Sequence, residues 1–503
     1  MSRISNSNSV QKSFIVLCCV VLSCANSGRL VHAEESTLVD AVEKQDAKVI
    51  RVLLKQQSDV NATQADGMTA LHWAVYQDDI SMTKLLIKAG AKVQSENRYG
   101  VTPLSLACRN GNSEIILLLL ENDADPNSSL QGGETALMTA SRTGQIDAVK
   151  LLLDHGAKIE ATEKKQQTAL MWAAAEGNAS VVDLLIKNGA DINATLLSGY
   201  TPLLIAVRQG QKEAVKILLE AGVDVNEVMR PEKKPAKGVT RGTSALILAI
   251  ENGHFELAVQ LLEAGADPND QHIGYAPLHV LSWVRKPDYG DNDAGNPSPV
   301  GSGNMTSLQF VKHLVKHGAE VNGKKNATGG GRGRFSKKGT TPFLCAAGTG
   351  DIDYMKTLVE LGADPMIPND SNTTPLLLAA GIGTGSSGDD AGTEPERLIA
   401  VQYLLELGAD INAVDNNGET AMHGAAYKTM PKVVHLLAKS GADIKIWSQK
   451  SKQGRTPLSI AQGYRPGNFK PSYATVDAIK QVMIAQGVTP PPPPAKKPNN
   501  YSN

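Results

Sequence analysis

Past an apolar run at Phe14–Leu22, the chain alternates short apolar helical runs with glycine-marked turns. A six-residue word, Thr-Ala-Leu-His-Trp-Ala, starts at Thr69, and related words start at Thr102, Thr135, Thr168 and Thr201, each 33 residues after the last. A degenerate copy starts at Ser36, and later copies start at Ser244, Ala276, Thr341, Thr374, Thr420 and Thr456. In each, the Thr predicts a helix N-cap, and a following Pro is tolerated because the first N–H groups of a helix have no partner. Leu104 and Ala107, three residues apart, illustrate the single apolar face. Glycines nine residues after the Thr (Gly111, Gly144, Gly177, Gly210, Gly253 and Gly350) predict a left-handed stop. A second apolar run such as Val149–Leu153 follows, ending at a further glycine (Gly90, Gly156, Gly189 and Gly222, for example). The predicted unit is helix, turn, helix, extended turn. One unit cannot bury both apolar faces, but stacked neighbours can.

This word and period resemble the ankyrin repeat, whose family word is Thr-Pro-Leu-His-x-Ala at 33 residues. The resemblance covers about nine-tenths of the chain after residue 33, in about twelve copies. It departs in the His, kept only at His72, His279 and His423, and in several insertions. The resemblance implies an all-α solenoid of helix-turn-helix repeats with β-hairpin finger loops. It implies a concave face that binds a protein partner, and neither enzymatic activity nor a cofactor. Family contacts come from the finger tips and inner helix. The matching positions are Tyr76, Arg98, Tyr99, Arg109, Arg142, Tyr200, Arg208, Tyr275, Tyr427 and Lys428. Tyr and Arg are the types that carry interface energy. Arg109, Arg142 and Arg208 are expected in a row on the concave face, and Trp73 and Trp172 on the core side.

Length changes meaning under this reading. The 503 residues would ordinarily suggest three or four globular domains. The period replaces these with one array: residues 1–33 form a leader, 34–226 regular repeats, 227–489 repeats with long insertions, and 490–503 a Pro-rich tail. Aromatic content of 4% and 46 glycines fit small helices with tight turns. Arg3 and Lys12 precede the apolar run, and Val31-His32-Ala33 offers a cleavage site, the layout of a secretory signal peptide. Export to a periplasm or beyond the cell is therefore expected. An uncleaved anchor and a lipoprotein using Cys24 are the alternatives. Cys18, Cys19 and Cys24 lie in the leader, leaving Cys108 and Cys345 as expected buried free thiols. The tail, Pro490–Pro494 with Lys496 and Lys497, predicts a stiff spacer or a short ligand for a proline-binding partner.

Net charge is −1, with 50 basic and 51 acidic residues, which excludes a globally basic nucleic-acid binder. Locally the balance differs. Insertion 323–338 carries Lys324, Lys325, Arg332, Arg334, Lys337 and Lys338 without an acid, and 229–241 is also basic. Both fall between repeats and extend fingers, so a grip on an anionic partner or envelope component competes with plain solvated loops. The Gly-Arg run at 329–334 is a weak signal for RNA. Insertions 284–306, 382–396 and 463–474 fall between the two helices of a repeat. An enzyme site assembled in the insertions is a third alternative, but neither a phosphate loop nor a nucleophile elbow is present. His313 with His317, and Asp288, Asp291 and Asp293, do not reach metal-site spacing, so no metal is expected. Asn178, Asn304 and Asn326 stand in glycosylation triplets.

Overall fold

A computed structural model describes residues 37–232, 241–288, 297–326, 338–384, 390–464 and 470–492. Contacts divide the chain into two compact units, 1–202 with 231–240 and 203–230 with 241–503. The first unit holds α1 (Leu38–Glu43), α2 (Ala47–Lys55), α3 (Ala70–Tyr76), α4 (Ile80–Lys88), α5 (Pro103–Asn110), α6 (Ser113–Glu121), α7 (Ala136–Thr143), α8 (Ile146–Asp154), α9 (Ala169–Glu176) and α10 (Ala179–Lys187). The second opens with α11 (Pro202–Gln209), α12 (Lys212–Glu220), α13 (Ala245–Glu251), α14 (Phe255–Glu263), α15 (Pro277–Arg285) and α16 (Ser307–Lys316). It continues with α17 (Pro342–Thr349), α18 (Ile352–Glu360), α19 (Pro375–Ala379), α20 (Glu394–Glu406), α21 (Ala421–Lys428) and α22 (Pro431–Lys439), and ends with the short α23 (Ile444–Trp447), α24 (Pro457–Ala461) and α25 (Tyr473–Ala485). Among the described residues no helix is long and apolar enough to cross a membrane.

The repeated Thr does what its position requires. Thr69, Thr102 and Thr341 accept from the backbone N–H of His72, Ser105 and Leu344 at 3.3, 3.1 and 3.2 Å, pairing a group the helix cannot satisfy itself. Gly111, Gly144, Gly177 and Gly350 end their helices in the left-handed region, with φ between 69° and 80°. The first copy is capped by Thr37, one residue past the expected Ser36, which lies outside the described residues. Lys48, Arg51 and Lys55 are exposed on α2, giving the array a polar end.

Ala276 breaks the capping rule and exposes its logic. In the complete copies, His72 and His423 accept the N–H of Thr69 and Thr420 at Nδ1 and lie within 3.0 Å of the Thr hydroxyl. Their Nε2 atoms donate to Val101 O and Arg455 O of the next repeat. His279 donates to Thr340 O at 2.9 Å, but its Nδ1 is buried without a partner, because Ala276 offers no hydroxyl. Ala276→Thr restores the missing cap and is expected to raise stability by about 1 kcal/mol. A denaturant midpoint measured beside wild type checks this, and an unchanged or lower midpoint refutes it.

Asparagines tie the outer ends of consecutive repeats. Asn127 Nδ2 donates to Gly156 O at 3.2 Å while its Oδ1 accepts from Lys158 N at 2.7 Å, and Asn322 repeats this with Gly362 O and Asp364 N. At the other end the finger tips link backbone to backbone, Arg98 N to Asp66 O at 2.9 Å and Lys164 N to Gly132 O at 3.0 Å. The close approach needs glycine: a Cβ at Gly67, where φ is 87°, would stand 3.0 Å from Asn97 Cα. The described parts of the fingers carry hairpin-type bonds but no strand, only isolated bridges such as Thr63 with Thr69.

Candidate protein-interaction surface

In the first unit, positions four and seven after the capping Thr share one face of each inner helix, a turn apart. Trp73 and Tyr76 meet edge to face at 5.6 Å, and the Arg109 guanidinium lies 5.5 Å from the centre of the Tyr76 ring. Tyr76 is 50% exposed, and Arg109 is exposed beside it. Next along the strip, Arg142 lies 5.5 Å from the Trp172 ring and pairs with Glu134 at 3.1 Å. On the neighbouring finger tip, Arg98 stacks over Tyr99, which is 56% exposed. Asparagines close to this strip are spent on structure: Asn110, eight after its Thr, donates Nδ2 to Val75 O, and Asn178, ten after its Thr, donates Nδ2 to Ser141 O, each satisfying the end of the preceding inner helix. Asn178 is thereby held half-buried, whereas Asn304 and Asn326 are exposed.

Two sequence expectations change here. Trp73 and Trp172 are half-buried members of the strip, not core residues. Four residues after the cap, a side chain leaves the core face, and the tryptophan becomes the base on which Tyr76 or Arg142 rests. Tyr200, by contrast, is buried at 8% exposure.

The second unit closes the equivalent strip. Arg208 on α11 is exposed, but Tyr275 and Tyr427 are buried, as is Lys428, whose Nζ donates to Asp390 O at 2.7 Å. Tyr427 donates to Glu419 Oε1 at 2.8 Å, and Tyr275 packs edge-on against Trp283 at 4.9 Å. All residues of 341–350, 375–382 and 421–428 are buried. The cause is small residues where the first unit has Trp, Tyr and Arg. A Cβ on Gly424 would stand 2.7 Å from Ile382 N, and one on Gly381 would stand 2.5 Å from Gly424 O. The turn that ends α19 thus meets the backbone of α21, and no side chain fits between them. Tyr275, Tyr427 and Lys428 are structural residues, contrary to expectation.

The insertions between paired helices fold back onto the array in their described parts. Arg285 Nε and Nη2 grip Asp351 at 2.7 and 3.0 Å, a nearly dry bidentate pair. Lys286 pairs with Glu396, and Asp288 Oδ1 accepts from Ala391 N at 3.1 Å, so insertions 284–306 and 382–396 meet. Asp288 is thereby used as a backbone acceptor; Asp291 and Asp293 lie outside the described residues. Arg397, 2% exposed, donates all five of its N–H groups to carbonyls of Gly348, Leu378, Ala379, Ala391 and Gly392. Burial pulls its guanidinium down to about 10.

Of the candidate anion-binding residues, Lys324 and Lys338 are exposed, while Arg332, Arg334 and Lys337 lie outside the described residues. Lys325 is buried at 1% exposure, against expectation. Its backbone pairs with Thr340 and Gly339 and turns the side chain under the finger root instead of outward. Among the described residues no three His, Cys, Asp or Glu side chains group to hold a metal, and His317 Nδ1 is bonded back to His313 O at 2.8 Å. Cys108 and Cys345 are buried free thiols, and burial pushes both well above the ordinary thiol range.

The sequence also matches known proteins. A model described as ankyrin repeats in three copies matches residues 38–130, 124–196, 162–229, 193–272 and 395–469, and a single ankyrin-repeat model matches 338–370 and 371–416. The chain is 32% identical over 112 residues to human ankyrin repeat and SOCS box protein 6, covering 20% of this chain and 27% of that protein. It is 35% identical over 129 residues to the mouse B-cell lymphoma 3 protein homolog, covering 25% of each. A longer match, 29% over 227 residues, reaches the neurogenic locus notch homolog protein 1 of Xenopus tropicalis, covering 38% of this chain and 9% of that protein. The chain thus spans about a quarter or less of the length of these relatives. Ankyrin repeats are generally non-enzymatic modules for protein–protein interaction, and this chain belongs to the ankyrin-repeat family.

Proposed function

We propose that this protein is a non-enzymatic, exported scaffold that binds a protein partner through the inner strip and finger tips of its first unit. The observation that carries the reading is the exposed, pre-stacked set Trp73, Tyr76 and Arg109, with Arg98 and Tyr99 on the finger beside it. Tyr and Arg held by ring contacts lose little side-chain freedom on binding, which is what makes such residues interface anchors. Export rests on the leader at residues 1–33, and sequencing the N-terminus of the protein recovered outside the cytoplasm tests it: a start at Glu34 supports export, and an intact leader in the cytoplasm refutes it.

The binding site is tested by affinity capture with residues 34–503 and with the same chain carrying Tyr76→Ala and Arg109→Ala. Loss of two anchors worth about 2 kcal/mol each weakens a partner by 100-fold or more. The variant is expected to lose the wild-type partner while keeping its fold by circular dichroism. Equal capture by both sinks the proposal.

A second reading has the basic fingers engage an anionic envelope component, and the exposure of Lys324 and Lys338 at the base of insertion 323–338 favours it. Retention on envelope fragments that falls steeply with salt supports this reading, and retention indifferent to salt opposes it.

A further inference from the structure

The open strip of the first unit has an electrical direction. In steps of 33 residues, Asp40 corresponds to Trp73, and Glu43 corresponds to Tyr76 and then Arg109. The inner helices pack in order, α1 on α3 and α3 on α5. The strip therefore begins with two carboxylates, crosses two rings and arrives at a guanidinium.

Hydrogen bonds and ring contacts join these groups. Trp73 Nε1 donates to Gln64 Oε1 at 2.9 Å, which fixes the Gln64 amide with Nε2 toward the carboxylates. That Nε2 donates to Glu43 Oε2 at 2.6 Å and to Asp40 Oδ1 at 3.0 Å. On the other side, Trp73 meets Tyr76 at 5.6 Å and Tyr76 meets Arg109 at 5.5 Å. Gln77 Nε2 donates to Glu43 O at 2.9 Å and Asn110 Nδ2 to Tyr76 O at 3.3 Å, so backbone ties hold the three helices in this register. Glu43, Tyr76 and Arg109 are exposed, and Asp40 and Trp73 are half-buried.

Both ends lack a counter-charge. Asp40 and Glu43 stand one helical turn apart, and like charges so placed repel. The partner they share is a neutral amide. Thr37 Oγ1 donates to Asp40 at 2.6 Å, and Lys44 acts on Asp40 without pairing to it. No ion pair among the described residues uses Asp40, Glu43 or Arg109. Arg109 rests on the Tyr76 ring with its N–H groups free to take a carboxylate. One repeat further on, Arg142 is already paired with Glu134, so the polarity ends at Arg109.

Unpaired charges of opposite sign, with an aromatic floor between them, complement a ligand whose charges run the other way. Resting on the reading of this strip as the partner site, we propose that it binds an extended segment of the partner. That segment sets a basic side chain against Asp40 and Glu43, an apolar one on Trp73 and Tyr76, and an acidic one against Arg109. Neighbouring inner helices stand about 10 Å apart, which an extended chain covers in about three residues. The basic and acidic residues therefore lie about six apart, with the apolar one midway.

The test uses the full chain and seven-residue peptides with blocked termini, followed by calorimetry. One peptide has Lys first, Leu fourth and Glu last, with Gly and Ser between. The others carry Lys at both ends, Glu at both ends, or Gly in place of Leu. Wild type is expected to bind the first peptide roughly fivefold more tightly than either like-ended one, the scale of one half-exposed ion pair. Glu43→Lys should level the first peptide with the two-Glu peptide. Arg109→Glu should invert the order and prefer the two-Lys peptide, an inversion that lost folding cannot produce. Wild type without a preference, or either variant with the wild-type order, would overturn the proposal. The captured partner separates two failures. If Tyr76→Ala with Arg109→Ala loses the partner while Glu43→Lys keeps it in full, the strip binds without this charge order. If both keep it, the strip is not the partner site and the charge order falls with it.

Discussion

Lowering the pH from 6.5 to about 4 is expected to remove several kcal/mol of stability, before general acid denaturation begins. His72, His254, His279 and His423 are all buried, and burial holds each below its ordinary value, His279 and His423 down to about 4. The hydrogen bonds agree. Nδ1 of His72, His254 and His423 accepts a backbone N–H, from Thr69, Ser302 and Thr420 respectively. Protonating Nδ1 would set two donors against each other. Above pH 6.5 the imidazoles are neutral both folded and unfolded, so they add no pH dependence. Between 6.5 and about 4 the unfolded chain takes up protons that the folded chain refuses, so stability falls as pH falls. A shift from 6.5 to about 4 corresponds to about 3 kcal/mol for each of His279 and His423. Guanidinium unfolding at a series of pH values should show this slope, and His423→Gln should flatten part of it. A profile level between 6.5 and 4 would contradict the burial of these rings.

Arg397→Met should be the most damaging single change in the second unit, costing about 4 kcal/mol. The side chain that remains fills part of the space but leaves five carbonyls, from α17, α19 and the 382–396 insertion, without their donor. Arg397→Lys should not rescue, because one ammonium cannot reproduce a planar fork of five N–H groups. The denaturant midpoint of the second unit reads the loss, and limited proteolysis within 382–396 reads the release of the insertion. A midpoint equal to wild type, with the insertion still protected, would show that Arg397 does not hold it.

The capping residues and the helix-stop glycines were legible because each acts within about ten residues of itself, and the period because the same unit recurs along the chain. Thr102 caps α5 and Gly111 ends it whatever the neighbouring repeats contain. The positions of the insertions were legible for the same reason. What they do was not: Arg397 and Asp288 look like ordinary charges until packing brings 382–396 against 284–306. The burial of Lys325 had a sequence signal, since Lys325 precedes Gly339 nearly as Met229 precedes Gly242, but its weight came only from hairpin bonds pairing those residues.

The candidate interface divides along the same line. Tyr76 and Arg109 were placed on the inner helices, and Arg98 and Tyr99 on a finger tip, by their positions in the 33-residue repeat, whereas Trp73 was expected in the core and joins the strip only in the structure. Whether such a face stays open is not a local property. Gly381 and Gly424 read along the chain as ordinary small residues, yet together they let the turn after α19 meet the backbone of α21, where Tyr427 is buried. The sequence by itself determined the repeat, its caps and which side of each helix faces inward, because those follow from neighbours a turn or a period apart. Only the tertiary structure decided which inward sides a partner can reach, because accessibility depends on how closely successive helices approach.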